Sequence, residues 1–247
     1  MYYFASDVHL GADSSAETRR RERRFVAWLD MAARDAEAIF LVGDIFDFWF
    51  EYVRVIPKGF VRTLGKLAEI ADRGVNIYFF TGNHDMWCYD YFERECGIKV
   101  FRGPQRMRLA GRNVFIAHGD NMNIDDKPLL RLMNTIFRSS AARKVFSWVV
   151  HPDLALRFGH WWSGKSRKSH ATDTLTRESL GFLVEYARGY VSQHPDTDYI
   201  IFGHMHYACD YREEALRVLF LGAWDVDNPT YCVIDGGGDA RLKTFEP

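Results

Sequence analysis

Apolar residues in the first half of the chain alternate between two patterns. Short apolar runs at 2–6, 38–42, 76–81 and 113–117 predict strands. Between them, periodic stretches at about 17–34, 57–73 and 86–95 predict helices. Strands alternating with helices of this length define an α/β fold with largely parallel core pairing. Ala110-Gly111-Arg112-Asn113 predicts a hairpin turn between two further strands. A helix at about 172–194 and a strand at about 198–202 follow. The remainder to 247 reads as strands, with turns at Asp227-Asn228-Pro229 and Gly236-Gly237-Gly238.

Each early strand runs into a short polar cluster. In order these are Asp7-Val8-His9, Gly43-Asp44 with Asp47, Gly82-Asn83-His84-Asp85 and His118-Gly119-Asp120, followed much later by Gly203-His204-Met205-His206. Polar residues just past strand C-termini occupy the usual position of sites in open α/β sheets. Successive clusters lie 37, 39 and 35 residues apart, whereas His204 is 86 residues beyond His118. The surplus, roughly 121–170, reads as an insertion that divides the core into 1–120 and 171–247. It opens as an amphipathic helix, with Leu129, Leu132, Met133, Ile136 and Phe137 on one stripe.

Composition changes the picture in one place. The whole chain carries a net charge of −1, so there is no overall electrostatic case for nucleic acid. Yet residues 127–170 hold nine Lys or Arg and one acid, Asp153, leaving 23 basic against 32 acidic residues elsewhere. A basic, aromatic-rich insertion on an acidic body predicts an anion-facing or membrane-facing surface. The run Arg19-Arg20-Arg21-Glu22-Arg23-Arg24, with Glu17 nearby, reads instead as the solvated face of a helix. Four cysteines without metal-type spacing predict reduced thiols and a cytosolic setting. A strand that begins at position 2 leaves no room for a signal peptide, and no apolar run spans a bilayer. Membrane contact would be peripheral.

Taken singly, each cluster has an ordinary explanation as turn chemistry or an interior histidine. Together, Asp7, His9, Asp44, Asn83, His118, His204 and His206 match in number and type the ligands of two adjacent divalent ions. Mixed carboxylate, amide and imidazole donors favour manganese, with iron or zinc as alternatives, over magnesium alone. Asp44, central in order and short, is the natural bridging carboxylate. The i, i+2 spacing of Asp7/His9 and His204/His206 suits strand ends, where alternate side chains point the same way. Two such ions serve in-line displacement at phosphorus and activate water near neutral pH.

These residues resemble the signature of the calcineurin-like metallophosphoesterase superfamily from position 4 to about 206. The resemblance implies a four-layer α/β/β/α sandwich around a dinuclear centre. It implies that Asp7, His9, Asp44 and His206 hold one metal, and Asp44, Asn83, His118 and His204 the other. His84, beside Asn83, would stabilise the transition state or protonate the leaving oxygen, and Asp85 would orient it. Gly43-Asp44-Ile45-Phe46-Asp47-Phe48-Trp49, together with the long insertion, is similar to the UDP-2,3-diacylglucosamine diphosphatases of lipid A synthesis. In that family a helical lid covers the metals and receives two acyl chains, and the products are UMP and 2,3-diacylglucosamine 1-phosphate. The implied partner is a lipid-linked nucleotide sugar. Its contacts would come from Trp49, Asp126, Ser163, Lys165, Arg167, Lys168 and His170, with the Leu/Phe/Trp stripe as acyl cleft. One departure is His84, where the well-known members carry arginine. It leaves another phosphorylated lipid or nucleotide as the alternative substrate. The sequence does not define an oligomeric state.

Overall fold

A computed structural model describes residues 1–122, 135–136, 139–171, 177–224 and 227–246. The strands are β1 (Tyr2–Ala5), β2 (Ala38–Val42), β3 (Asn76–Phe80), β4 (Lys99–Phe101), β5 (Gln105–Leu109), β6 (Arg112–Ala117), β7 (Tyr199–Phe202), β8 (Ala208–Glu213), β9 (Leu216–Leu221), β10 (Thr230–Ile234) and β11 (Ala240–Thr244). They form one sheet in the order β11-β10-β1-β2-β3-β4 and a second in the order β5-β6-β7-β9-β8. The centre of each is parallel: β1–β2, β2–β3 and β3–β4 in the first, β6–β7 and β7–β9 in the second. Consequently the C-terminal ends of β1, β2 and β3 share one edge, as do those of β6 and β7.

The helices are α1 (Ser15–Ala32), α2 (Val61–Asp72), α3 (Tyr91–Glu95), α4 (Ser140–Val149), α5 (Pro152–Ala171) and α6 (Gly181–Gln193), with a 3-10 turn at Arg177–Leu180 before α6. Period-two alternation sorts the strand residues into separate cores. In β2, Ile39 and Leu41 face Phe25, Trp28 and Leu29 of α1. Ala38, Phe40 and Val42 face the second sheet, meeting Val114, Ile116, Ile201 and Leu219. The other face of the second sheet, with Phe115, Ile200, Phe202 and Phe220, packs on Leu183, Val184 and Ala187 of α6. Three apolar interfaces between four layers give the expected α/β/β/α sandwich.

Element boundaries depart from the sequence reading where polar groups intervene. Residues 57–60 are not helical: Gly59 and Phe60 both have positive φ, which breaks the chain direction before α2. The expected helix 86–95 shrinks to Tyr91–Glu95 because buried Glu51 accepts from the backbone N–H groups of Tyr89, Asp90 and Tyr91. At 110–111 the expected hairpin is present, with positive φ at both Ala110 and Gly111 and Leu109 paired to Arg112. The basic run on α1 is only partly a solvated face. Arg21 and Glu22 are buried, because they share the helix face of Phe25, Trp28 and Leu29. Glu22 accepts from the N–H groups of Arg62 and Thr63 and so caps α2.

In the surplus segment, α4 and α5 stand between β6 and α6. Apart from Ile136, the 129–137 stripe lies outside the described residues. Phe146 of α4 packs on Phe50 and Trp87, with ring centroids 5.2 and 5.1 Å apart. Arg143 lies over the Tyr89 ring and donates to the Cys88 carbonyl, while the Tyr52 hydroxyl donates to the Val150 carbonyl. Trp148, Val145, Val149 and Leu154 are exposed. Among the described residues, no helix is long and apolar enough to cross a membrane.

Candidate metal centre

The five clusters meet on one edge because each follows a central parallel strand. Loops beyond β1 and β2 continue the ladder: Asp7 N–H donates to the Gly43 carbonyl at 3.1 Å and His9 N–H to the Asp44 carbonyl at 3.0 Å. Asp7, His9, Asp44, His204 and His206 all have φ between 48° and 67°. Left-handed backbone at non-glycine residues is sparsely populated and clusters at functional sites. Here it turns both members of each i, i+2 pair toward the same point. Gly43 and Gly82 are required for close approach. A Cβ on Gly43 would overlap the His118 ring, and one on Gly82 would overlap the Asp44 carboxylate.

Two groups of donor atoms result. Asp7, His9 and His206 bring one ligand atom each within 4.8 Å of one another, as do Asp44, His118 and His204. Nε2 of His9 and Nε2 of His206 are 3.0 Å apart, and the latter is 3.3 Å from Asp7 Oδ1. Asp44 Oδ2 lies 3.2 Å from His118 Nε2, and Asp44 also joins a third grouping with His9 and His84. Asp44 thus stands between the groups, where a bridging carboxylate belongs. Asp7 Oδ1, Asn83 Oδ1 and His118 Nε2 are buried atoms with no hydrogen bond. Buried polar atoms left so are costly unless something else satisfies them. Oxygen and imidazole lone pairs converging in this way fit divalent cations.

Ligands must shed their protons to bind a cation. Asp44 and His204 are set to do so, whereas at His118 burial is outweighed by the Asp44 carboxylate, which raises it well above its ordinary value. Burial works against charge on Asp44, but His118 and His84 outweigh it and hold its carboxyl well below the usual range. Burial, reinforced by His118, pushes His204 down to about 4, so it is neutral at pH 7. A carbonyl only accepts, so the 2.9 Å contact from His118 Nδ1 to Val42 O puts a proton on Nδ1 and aims Nε2 into the site.

His84 is buried at the rim, its Nε2 3.9 Å from Asp44 Oδ2. Its backbone N–H donates to Asp44 Oδ1 at 2.9 Å. The structure corrects the expected role of Asp85. Its carboxylate accepts from Gly82 N–H at 2.7 Å and Ile45 N–H at 2.9 Å, tying the third cluster to the second instead of orienting His84. Burial and the Asp44 charge push Asp85 up to about 7. The group that orients His84 is the backbone carbonyl of Asp47, 2.8 Å from Nδ1.

Two of the expected substrate contacts are buried side chains. Trp49 is fully buried among Phe46, Tyr91 and Phe92, and its indole N–H donates to Glu51. Ser163 is 1 % exposed and donates to Asp47 Oδ1 at 2.5 Å. Asp126 and the side chains of Lys165, Arg167, Lys168 and His170 lie outside the described residues. Beside Asn83 and His84, a small, mostly apolar cleft of about 70 Å³ is lined by Phe48, Trp49, Met86, Trp87, Phe146 and Phe158. Sequence reasoning missed Arg21, which donates to the Val8 and His9 carbonyls and braces the first loop. The signal was its place on the apolar face of α1.

The class follows from this sandwich and its edge of donors. The chain belongs to the calcineurin-like phosphoesterase family, which matches residues 2–208, and it is a hydrolase with a divalent-metal centre. Among its relatives is the UDP-2,3-diacylglucosamine hydrolase of Porphyromonas gingivalis, 39 % identical over 95 % of this chain and 94 % of that protein. Proteins of the same name from Pseudomonas aeruginosa and Neisseria gonorrhoeae are 30 % and 27 % identical, over 90 % and 96 % of this chain and 90 % and 95 % of theirs.

Proposed function

We propose that this chain hydrolyses the diphosphate of UDP-2,3-diacylglucosamine to UMP and 2,3-diacylglucosamine 1-phosphate. The observation that carries the reading is the apolar cleft opening directly beside Asn83 and His84. A soluble nucleotide has no use for such a slot, whereas acyl chains need one beside the phosphates. The names of the relatives supply the substrate.

In this reading Asp7, His9, Asp44 and His206 hold one divalent ion, and Asp44, Asn83, His118 and His204 the other, with manganese the preferred metal. When bound, the pair stabilises charge on the phosphoryl oxygens and supplies an activated water near neutral pH. The protein's own work is positioning. The His84 backbone N–H holds the second and third clusters together through Asp44. His84, with Nδ1–H committed to Asp47, presents Nε2 to the reacting phosphate. The water oxygen joins phosphorus and gives up a proton to solvent, and the anhydride P–O bond breaks. The departing oxygen takes a proton from Nε2 of His84 when that ring carries protons on both nitrogens. Helices α4 and α5, within the 121–170 insertion, act as the lid. Asp126, Lys165, Arg167, Lys168 and His170 are the proposed phosphate and sugar contacts. The exposed Trp148, Val149 and Leu154 rest on the cytoplasmic face of the inner membrane, where the substrate resides.

The test is UMP release from UDP-2,3-diacylglucosamine in detergent with Mn²⁺. Turnover abolished by EDTA and restored by Mn²⁺ is expected. No UMP, alongside hydrolysis of a small phosphodiester, would transfer the chain to another phosphorylated lipid or nucleotide.

A further inference from the structure

Helix α5 approaches the metal centre through small residues. Ala155, Gly159 and Ser163, spaced i, i+4, i+8, are all buried and form one face of the helix. A Cβ on Gly159 would overlap the ring of Phe48, so the helix lies directly on the loop that follows the bridging Asp44. That proximity brings the Ser163 hydroxyl to Asp47 Oδ1 at 2.5 Å, with both side chains out of solvent. The same carboxylate oxygen is 3.7 Å from His9 Nδ1 and 4.0 Å from His84 Nδ1. The Asp47 carbonyl accepts from His84 Nδ1 at 2.8 Å. One residue therefore connects the inserted helix to the imidazole that serves the leaving oxygen.

We propose that Ser163 is a positioning residue. By holding Asp47, it sets the orientation of His84, so the catalytic geometry is complete only when α5 is seated. The idea rests on the role given to His84 above, but not on the lipid substrate. A polar lid residue would ordinarily be assigned to substrate contact. Here its hydroxyl is turned away from solvent and committed to a core carboxylate, and Gly159 one turn earlier makes the seating possible.

The experiment compares Ser163→Ala with wild type on two substrates, UDP-2,3-diacylglucosamine and bis(p-nitrophenyl) phosphate, a small diester with no acyl chains. Loss of a group that orients a working side chain typically costs about 10–100-fold. A fall of that size in kcat on both substrates, with KM within about twofold and metal content per chain unchanged, is expected. Gly159→Ala, which keeps the hydroxyl but lifts the helix off Phe48, should show the same kcat-only loss. In an Asp47→Ala background, which retains the carbonyl, Ser163→Ala should cost less than about twofold, because the relay is already cut. A raised KM confined to the diacylated substrate would overturn the proposal in favour of direct contact. Loss of bound metal, or additive losses with Asp47→Ala, would also overturn it. If the lipid substrate is not turned over at all, the small diester still decides the question.

Discussion

Residue by residue, the site is built from backbone as much as from side chains. Asp7, His9, Asp44, His204 and His206 adopt left-handed φ that ordinary residues avoid, at a cost on the order of 1–3 kcal/mol each. The surrounding parallel ladders make that tolerable by holding the loops at both ends. His84 shares with His118 an Nδ1 anchored on a backbone carbonyl, that of Asp47 in one case and of Val42 in the other. Its Nε2 sits at the rim of the site, 3.9 Å from Asp44 Oδ2. His84→Ala should lower kcat by about 10²–10⁴-fold, the range for loss of a general acid. Metal content should stay at the wild-type value, as measured by elemental analysis, because the seven proposed ligands remain. A variant near the wild-type rate would assign the leaving-group proton to another residue.

At the scale of elements, the loops that carry chemistry are secured by buried carboxylates in non-catalytic places. Glu22 caps α2, Glu51 sets the start of α3, and Asp85 ties the third cluster to the second. Each accepts backbone N–H groups that would otherwise be buried unpaired, which is expensive. Glu22→Ala should destabilise the protein by about 1–3 kcal/mol, the cost of leaving such donors unsatisfied. Urea unfolding would show this as a lower midpoint at unchanged slope. Because α2 bears none of the clusters, kcat below the melting range should be unaffected; a reduced kcat would mean the cap also shapes the site. Apolar periodicity made most elements legible, but not the boundaries of α2 and α3. Those depend on Gly59, Phe60 and Glu51, whose effect is a matter of turn conformation and of a partner some 40 residues away.

For the whole molecule, α4 and α5 expose large apolar side chains among charged ones such as Lys144 and Arg157. Trp148 is 89 % exposed and Val149 67 %, unusual for side chains of this kind unless they meet another surface. Replacing Trp148 and Leu154 together with Ser should weaken binding to vesicles containing anionic lipid by about tenfold or more, given about 1.5–3 kcal/mol per large apolar side chain removed from water. Co-sedimentation of the variant and wild type would measure it, with kcat on a detergent-dispersed substrate as control. Unchanged partition would move the membrane contact off this face.

The types of donor residue, their order and their spacing were written in the chain, and so were the alternating elements that place clusters after strands. Local periodicity encodes these because a strand or helix needs only its own residues to declare itself. Tertiary structure decided which atoms meet. It gave the orientation of His84 to a carbonyl of Asp47, drew Arg21 and Glu22 out of an apparently solvated basic run, and buried Trp49. It also turned Ser163 from expected substrate contact to a partner of Asp47, 116 residues away in sequence. Such pairings arise from how helices and sheets pack, and no local pattern records them.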